Sequence, residues 1–375
     1  MSLHIPFRYD YVGSFLRPTA LKEAREAFKA GTLTAEELRA VENKEIEALI
    51  AKQKAAGYHV ITDGEFRRAY WHLDFMWGFQ GIEETELDHG YFFVGEETAK
   101  GSIKLVGKIS GENHPFIEHF KFVNQWADAN TVAKQTFPAP AQLFSELFRD
   151  KNGDTTRQIY PDVEELIQDI GAAYRTFIKE LYEAGCRNIQ LDDCTWGMFC
   201  DEAYWQKRQE TAKDNLSFEE AAERFLRLNN LALQDIPADL AVTTHVCRGN
   251  YNSTYAASGG YERIEKILFG KAKVDAFYLE FDDERSGGFE PLRFVPANKK
   301  VVLGLITTKR ATLENRDGII KRIQEATQYV PLEHLYLSPQ CGFASCEIGN
   351  KLTEEEQWAK LALVKSIAEE VWGHR

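Results

Sequence analysis

The stretch DVEELIQDIGAAYRTFIKELYEAGCRNIQLD, residues 162–192, contains an amphipathic helix followed at once by an apolar strand. Its first part, 162–184, repeats apolar residues at the 3.6-residue spacing of a helix, and Gly185 lies where a helix C-terminal glycine is expected. Its last part, 188–192, is a short apolar run that ends in a carboxylate. A helix that leads directly into a buried strand is the unit from which parallel α/β sheets are built.

The same unit recurs along the 375-residue chain. Segments 34–56 and 218–233 have helical spacing, and Gly57 follows the first of them. Eight apolar, β-branched runs are predicted as strands: 11–14, 59–63, 134–137, 188–192, 241–246, 277–281, 301–306 and 335–338. Eight alternations predict an α/β fold of one domain, residues 1–375, forming a single (β/α)8 TIM barrel.

An insertion is predicted between the second and third strands, over residues 81–111. Within it the run GSIKLVGKIS, residues 101–110, alternates apolar and polar residues and is typical of a β-hairpin. We interpret the segment as an insertion on the barrel and not as a second domain.

Charge and composition narrow the class of protein. The formal net charge is −13, and the basic residues are scattered among 58 acidic ones, which argues against a nucleic-acid partner. Neither a signal peptide nor a long apolar span is evident, so we expect a cytoplasmic protein that does not bind membranes. In a reducing compartment the six cysteines are expected to be thiols or metal ligands. We expect a monomer or a homodimer.

Chemically active residues follow the predicted strands. In a (β/α)8 barrel the working side chains come from the C-terminal ends of the strands, so these positions are the candidates for a site. They are Ser14, Asp63, Glu65, Asp192, Asp193, His245, Cys247, Glu280, Lys309 and Cys341.

A metal site is predicted at four of these positions. His245 and Cys247 are two residues apart at a strand end, so that both side chains can point to one face. Imidazole and thiolate are ligands that zinc prefers, and Glu280 and Cys341 would complete a tetrahedron. Taken singly, each has an ordinary alternative: a buried cysteine, a hydrogen-bonded histidine, or a solvated acidic loop at 280–284.

The carboxylates form a second group. Glu65 and Asp192 end apolar strands, where an unpaired charge is costly, so each needs a cationic partner. The ammonium group of an amino acid would serve. The alternative is an internal ion pair with Arg67, Arg68 or Lys309.

The motifs at these strand ends are similar to those of a known family. They are Val12-Gly13-Ser14-Phe15, Asp63-Gly64-Glu65, Gln190-Leu191-Asp192-Asp193, Thr244-His245-Val246-Cys247, Tyr278-Leu279-Glu280 followed by Arg285-Ser286, and Pro339-Gln340-Cys341-Gly342. In this order they resemble the catalytic barrel of cobalamin-independent methionine synthases. The chain resembles a short, single-barrel form without the second N-terminal barrel of the long enzymes.

The resemblance implies a zinc-dependent methyltransferase that makes methionine from homocysteine. Zinc would be bound by His245, Cys247, Cys341 and, before substrate arrives, Glu280. The homocysteine ammonium would meet Glu65 and Asp192, and its carboxylate would meet Ser14 and nearby backbone amides. The thiol would then displace Glu280, ionise and attack the methyl group of a donor such as methyltetrahydrofolate.

Two departures from the family pattern bear on catalysis. The usual Asp-Glu-Pro after the fourth strand is Asp192-Asp193-Cys194, and the histidine of the long enzymes after the seventh strand is replaced in the run that ends at Lys309. Lys309 and Asp193 are the candidate catalytic residues, although Lys309 could instead be a structural partner of Asp192 or Asp193.

Other functions remain as alternatives. A related zinc thiol alkyltransferase, of the coenzyme M or methylcorrinoid type, would use the same metal ligands. A zinc hydrolase would usually have a shell richer in histidine or carboxylate, so the paired cysteines argue against it. A metal-binding protein without catalytic activity would show the same ligands and no turnover.

Overall fold

A computed structural model describes residues 5–211 and 214–373. The predicted domain, 1–375, includes positions 1–4, 212–213 and 374–375, which lie outside the described residues. The strands are β1 (Val60–Ile61), β2 (Gln80–Glu86), β3 (Phe92–Phe93), β4 (Glu96–Glu97), β5 (Gly101–Ser110), β6 (Val132–Ala133), β7 (Gln135–Pro138), β8 (Asn188–Asp193), β9 (Ala241–Val246), β10 (Ala276–Glu280), β11 (Lys300–Ile306) and β12 (Leu335–Pro339).

Helices alternate with these strands. They are α1 (Thr19–Lys29), α2 (Ala35–Ala55), α3 (Leu73–Met76), α4 (Phe116–Asn124), α5 (Pro140–Leu147), α6 (Asn152–Ile159), α7 (Val163–Glu183), α8 (Thr195–Cys200), α9 (Glu202–Thr211), α10 (Phe218–Ala232), α11 (Glu265–Lys271), α12 (Arg316–Ala326) and α13 (Glu354–Trp372). Short 3-10 turns cover Tyr261–Arg263, Glu284–Ser286, Glu290–Phe294 and Leu332–His334.

Residues 162–192 fold as predicted, as a helix followed by a strand. Asp162 caps α7 by accepting a hydrogen bond from Glu164 N, and Gly185 follows the helix with a φ of 101°. The apolar stripe of α7 is buried, and every residue of β8 is buried. The segment therefore packs a helix onto a strand that has no solvent-facing side.

Strands β7 to β12 form one parallel sheet in chain order, and a second parallel pair joins β1 to β6. The α/β prediction is confirmed. Parallel strands joined by helices have their C-terminal ends at one edge, so the residues that follow β1, β8, β9, β10 and β12 lie on the same rim. In the part of the chain that is described, no helix is long and apolar enough to cross a membrane.

The first predicted strand differs from the prediction. Residues 11–14 form no regular strand, although Tyr9 makes a parallel bridge with Leu337 of β12 and Phe15 N donates to Gly64 O at 3.0 Å. Gly13 has a φ of 147°, and a Cβ there would lie 2.9 Å from Thr136 Cγ2. The glycine lets the chain turn against β7, which interrupts the extended conformation.

The insertion also differs in detail. Residues 101–110 are a single ten-residue strand, β5, which pairs antiparallel with β2, and not a hairpin by themselves. Most of β2 is exposed or only partly buried, and its sequence, QGIEETE, lacks the alternation that would have identified it. The small antiparallel pair β3 and β4 lies between them.

Candidate active site

His245 is oriented by its neighbour in the sheet. It lies opposite Tyr278 of β10, and its Nδ1 is 3.3 Å from the Tyr278 carbonyl oxygen. Because a carbonyl can only accept, Nδ1 carries the proton and Nε2 has a free lone pair. Nε2 is buried and has no hydrogen-bond partner among the residues that the structure describes. This unpaired nitrogen is the atom that a metal ion would bind.

Cys247 and Cys341 lie face to face. Their Sγ atoms are 3.7 Å apart and both residues are buried. The hydrogen bond with Cys247 raises the pKa of the Cys341 thiol, and burial raises it further. Two thiolates so close together would repel each other strongly unless a cation lay between them.

Glu280 completes the group at the end of β10. It is fully buried, so the alternative of a solvated loop is wrong for this residue. Its Oε2 accepts from Arg285 Nη2 at 3.1 Å, whereas Oε1 is buried and has no partner in the described part of the chain. The ligand atoms of His245, Cys247, Glu280 and Cys341 all lie within 4.8 Å of one another, and we call these four residues the metal quartet. Their donor set is one that zinc prefers.

Glu65 sits in a turn after β1. It has a φ of 62°, uncommon for a residue with a side chain, and its N–H donates to Asp63 Oδ1 at 2.8 Å. Its Oε1 accepts from Thr136 Oγ1 at 3.1 Å and lies 3.3 Å from Arg68 NH1, whereas Oε2 is buried and unpaired. Burial raises the pKa of Glu65 to about 7. Part of the carboxylate therefore remains available to a ligand.

Asp192 lies opposite His245 in the sheet. Its Oδ1 accepts from Gln190 Nε2 at 2.7 Å, and burial raises the pKa of Asp192 to about 7. Asp192 also raises the pKa of Glu65, so the two carboxylates interact, and we call them the carboxylate pair. Of the ion pairs considered as alternatives, only that between Arg68 and Glu65 is found among the described residues.

Ser14 is close to the loop after β12. Its Oγ accepts from Ala344 N at 3.3 Å, and its carbonyl oxygen accepts from Phe343 N at 3.0 Å. A Cβ at Gly342 would lie 1.9 Å from Ser14 Oγ, so only glycine allows this approach. Ser14 therefore contacts residues 342–344, the stretch that directly follows Cys341.

A family model described as the catalytic domain of cobalamin-independent synthases matches residues 9–90 and 157–370. The chain belongs to this family. The metal quartet, the carboxylate pair and Ser14 all lie in the matched residues.

Relatives of known sequence fall into two groups. The Bacillus subtilis protein YxjH, described as uncharacterized, is 45% identical over 368 residues, which are 98% of this chain and 95% of that protein. A methionine synthase of Saccharolobus solfataricus is 24% identical over 340 residues, 88% of this chain and 86% of that enzyme. The match therefore spans nearly the whole of each relative.

Solved structures of the family have the same fold. A Listeria monocytogenes protein, provisionally assigned as a vitamin B12-independent methionine synthase, is 39% identical with a TM-score of 0.76, over 98% of this chain and 99% of that one. A B12-independent methionine synthase from Shewanella, solved with selenomethionine, is 20% identical with a TM-score of 0.72, over 97% of both chains. The second likeness shows the fold alone.

The two candidate catalytic residues, Asp193 and Lys309, have different hydrogen-bond partners. The carboxylate of Asp193 is fully buried and accepts from Thr195 N at 2.9 Å and from Asn229 Nδ2 at 2.7 Å. Neighbouring residues on a strand point to opposite faces, so Asp193 is turned toward α10 and away from Asp192. These contacts are those of a structural residue, and the catalytic role of Asp193 stays a prediction.

Lys309 is bonded to Asn250, near the loop that carries Cys341. Its Nζ is 3.2 Å from Asn250 Oδ1, and Asn250 Nδ2 donates to Gly342 O at 2.7 Å, next to Cys341. The predicted alternative, a partner among Asp192 and Asp193, is replaced by Asn250. Lys309 therefore remains a candidate catalytic residue for the reaction of the methyl donor.

Several residues that shape the site were missed in the sequence. Arg285 had been noted only as part of a motif, yet its guanidinium bonds the Glu280 carboxylate. Cys194 was named only as part of the run after the fourth strand, but its hydrogen bond raises the pKa of Cys247. Gln190 bonds Asp192, and Lys134 in turn bonds Gln190. The sequence did contain a signal for Gln190. It is a polar residue two positions before Asp192, and residues two apart on a strand share one face.

Proposed function

We propose that this protein transfers a methyl group to the thiol of homocysteine with a zinc ion held by the metal quartet. The observation that carries the proposal is the pair of unpaired atoms in that quartet, His245 Nε2 and Glu280 Oε1, beside two buried thiols. Buried polar atoms are normally hydrogen-bonded, so atoms left free at one point call for a ligand of positive charge. Zinc bound by two thiolates lowers the pKa of a further thiol that binds to it.

The chain's own residues would prepare this site for a thiol. The Tyr278 carbonyl holds His245 in the tautomer that exposes Nε2, and Arg285 holds one oxygen of Glu280. Because Arg285 bonds Glu280 independently of any metal, Glu280 would be the member of the quartet best suited to give way to a substrate thiol. His245, Cys247 and Cys341 would stay in place.

The carboxylate pair would bind the amino group of the substrate. Glu65 Oε2 is buried and unpaired, and the fixed side chain of Asp192 lies close enough to raise the pKa of Glu65. Ser14 Oγ already accepts from Ala344 N, so its hydroxyl hydrogen is free to donate to the substrate carboxylate. An α-amino acid with a thiol side chain matches these groups.

Lys309 is our candidate for assistance at the leaving group of the methyl donor. Asn250 holds its ammonium group beside the loop that carries Cys341. An ammonium donates a proton at neutral pH less readily than the imidazolium of a histidine. We therefore infer that the preferred donor carries a good leaving group, such as a sulfonium or a methylcorrinoid, in preference to methyltetrahydrofolate.

We also infer that the parallel strands close into a single (β/α)8 barrel. The Tyr9 bridge to β12, the bond from Phe15 to Gly64 after β1, and the pairing of β1 with β6 support a closed ring with one irregular member.

The bound selenomethionine of the Shewanella enzyme and the methionine synthase relative from Saccharolobus support an amino-acid product.

The test is methionine formation by the zinc-loaded protein. The enzyme is incubated with homocysteine and, in parallel, with methyltetrahydrofolate, methylcobalamin or S-methylmethionine, and methionine is quantified. Turnover with at least one donor supports the proposal. Transfer to coenzyme M but not to homocysteine would replace it with a related alkyltransferase, and zinc binding without transfer to either thiol would leave only a metal-binding protein.

A further inference from the structure

A fully buried ion pair lies beneath Asp192. Lys134 and Asp10 are both inaccessible to solvent, and Lys134 Nζ is 3.1 Å from Asp10 Oδ1. The same ammonium group donates to the Tyr11 carbonyl and, at 3.1 Å, to Gln190 Oε1. An ammonium has three hydrogens, so these three acceptors satisfy it completely.

Lys134 thereby determines which way the Gln190 amide faces. An ammonium cannot accept a hydrogen bond, so the amide oxygen of Gln190 must face Lys134. The amide nitrogen then faces the other way and donates its two hydrogens to Val12 O at 2.8 Å and to Asp192 Oδ1 at 2.7 Å. With the amide reversed, two donors would meet at Lys134, and the oxygen would face the carboxylate of Asp192.

The second carboxylate of the pair is fixed from the same neighbouring strand. Thr136 lies opposite Gln190 in the sheet, and its Oγ1 bonds Glu65 Oε1 at 3.1 Å. Each member of the carboxylate pair thus has one oxygen bonded to a neutral donor, Thr136 for Glu65 and Gln190 for Asp192. Arg68 also pairs with Glu65 Oε1 at 3.3 Å, whereas Asp192 forms no ion pair among the described residues. A neutral donor orients a carboxylate without cancelling its charge, so the charge of Asp192 remains available to an ammonium ion.

We propose that Lys134, acting through Gln190, is a positioning residue that fixes Asp192 for the ammonium group of the substrate and so makes the site specific for amino-acid thiols. This inference rests on the proposed function, because it assumes that the carboxylate pair binds an amino group. Lys134 itself touches neither substrate nor metal. Its ion pair with Asp10 supplies the fixed charge that orients the amide.

The experiment compares two ligands that differ only in the amino group. L-methionine and 4-(methylthio)butanoate are titrated calorimetrically into the zinc-loaded full chain, and the ratio of their dissociation constants measures recognition of the ammonium. The variants are Gln190→Met, which has a similar size and no hydrogen bond to give, and the double variant Lys134→Met with Asp10→Asn, which removes both buried charges together. Circular dichroism and zinc content confirm that each variant is folded and loaded.

We expect the wild type to prefer methionine by about tenfold or more, and each variant to lose at least about fivefold of that preference. Binding of 4-(methylthio)butanoate should stay within about twofold, because that ligand has no ammonium to place. A folded variant that weakens both ligands equally, or leaves the ratio unchanged, overturns the inference, since the network would then be only structural. If the wild type does not distinguish the two ligands, the proposed amino-acid site fails instead. Should Gln190→Met not fold, the charge-free double variant decides the question.

Discussion

The metal quartet and the carboxylate pair lie on one rim but differ in how fully their polar atoms are satisfied. In the quartet, His245 Nε2 and Glu280 Oε1 are buried without partners. In the carboxylate pair, Thr136, Arg68 and Gln190 already bond the acidic groups, and Glu65 Oε2 is the buried atom left unpaired. The difference suggests that the quartet is built for a resident cation and the pair for a cation that comes and goes.

Replacing a thiol of the metal quartet should cause the largest change, a loss of zinc affinity. We expect about one zinc per chain in the wild type, and a loss of metal affinity in Cys247→Ser or Cys341→Ser greater than the roughly 100-fold typical of residues that only support a ligand. Metal content by atomic spectroscopy and competition with a chelator measure it. Cys186→Ser is the matched control, because Cys186 is a buried thiol outside the quartet. Equal zinc in all three variants would refute the metal site.

The choice of methyl donor should cause the next largest change, in the rate of methionine formation. Assistance by a general acid is worth about 10²–10⁴-fold, so we expect methyltetrahydrofolate to react more slowly than S-methylmethionine by up to that factor. Lys309→Ala should slow the folate reaction further and leave the sulfonium reaction unchanged, because a sulfonium needs no proton to depart. Parallel assays of methionine formation measure both rates. Rapid folate turnover that is insensitive to Lys309→Ala would show that another residue supplies the proton.

Neighbouring aspartates allow a sharp test of the carboxylate pair. Asp192→Asn should weaken methionine binding by about 1.5–3 kcal/mol while zinc stays bound, because one charge facing the ammonium is lost. Asp193→Asn should leave binding unchanged and lower the free energy of unfolding by about 1–3 kcal/mol, because its bonds to Thr195 and Asn229 are structural. Calorimetric titration and denaturant unfolding separate the two effects. Equal binding losses in both variants would mean that the two side chains act together.

The pH dependence of methionine binding should show a smaller effect. The pKa values of Glu65 and Asp192 are raised by burial to about 7, so these groups lose charge as the pH falls through that value. The ligand ammonium stays charged throughout, so methionine affinity should fall about tenfold from pH 8 to pH 6 if one group controls binding. Methionine has no thiol, so zinc-linked ionisation of the ligand does not contribute. A flat profile with zinc still bound would contradict the ammonium site.

Much of the site could be predicted because its residues follow buried strands. His245, Cys247, Glu280 and Cys341 each come at or just after the end of a strand, and the parallel topology brings such positions to one rim. The first strand could not be predicted correctly, since the conformation of Gly13 depends on its approach to Thr136. The pairing of β5 with β2 was missed because β2 is largely polar and exposed.

Roles that depend on direction could not be predicted in the same way. Asp192 and Asp193 are chemically alike and adjacent, yet one lies in the site and the other faces α10, which depends on the face of β8 that each occupies. Lys309 binds Asn250 and not an aspartate, because the loops after β9 and β11 meet there.

The sequence by itself determined the alternation of helices and strands and the residue types at the strand ends. These are local properties, since apolar periodicity and the position of a polar residue after a buried run are written in consecutive residues. Only the tertiary structure decided which polar atoms are satisfied and which are left free. Hydrogen bonds such as that from Lys134 to Gln190 join residues far apart in the chain, and whether an atom is buried without a partner depends on every element packed around it.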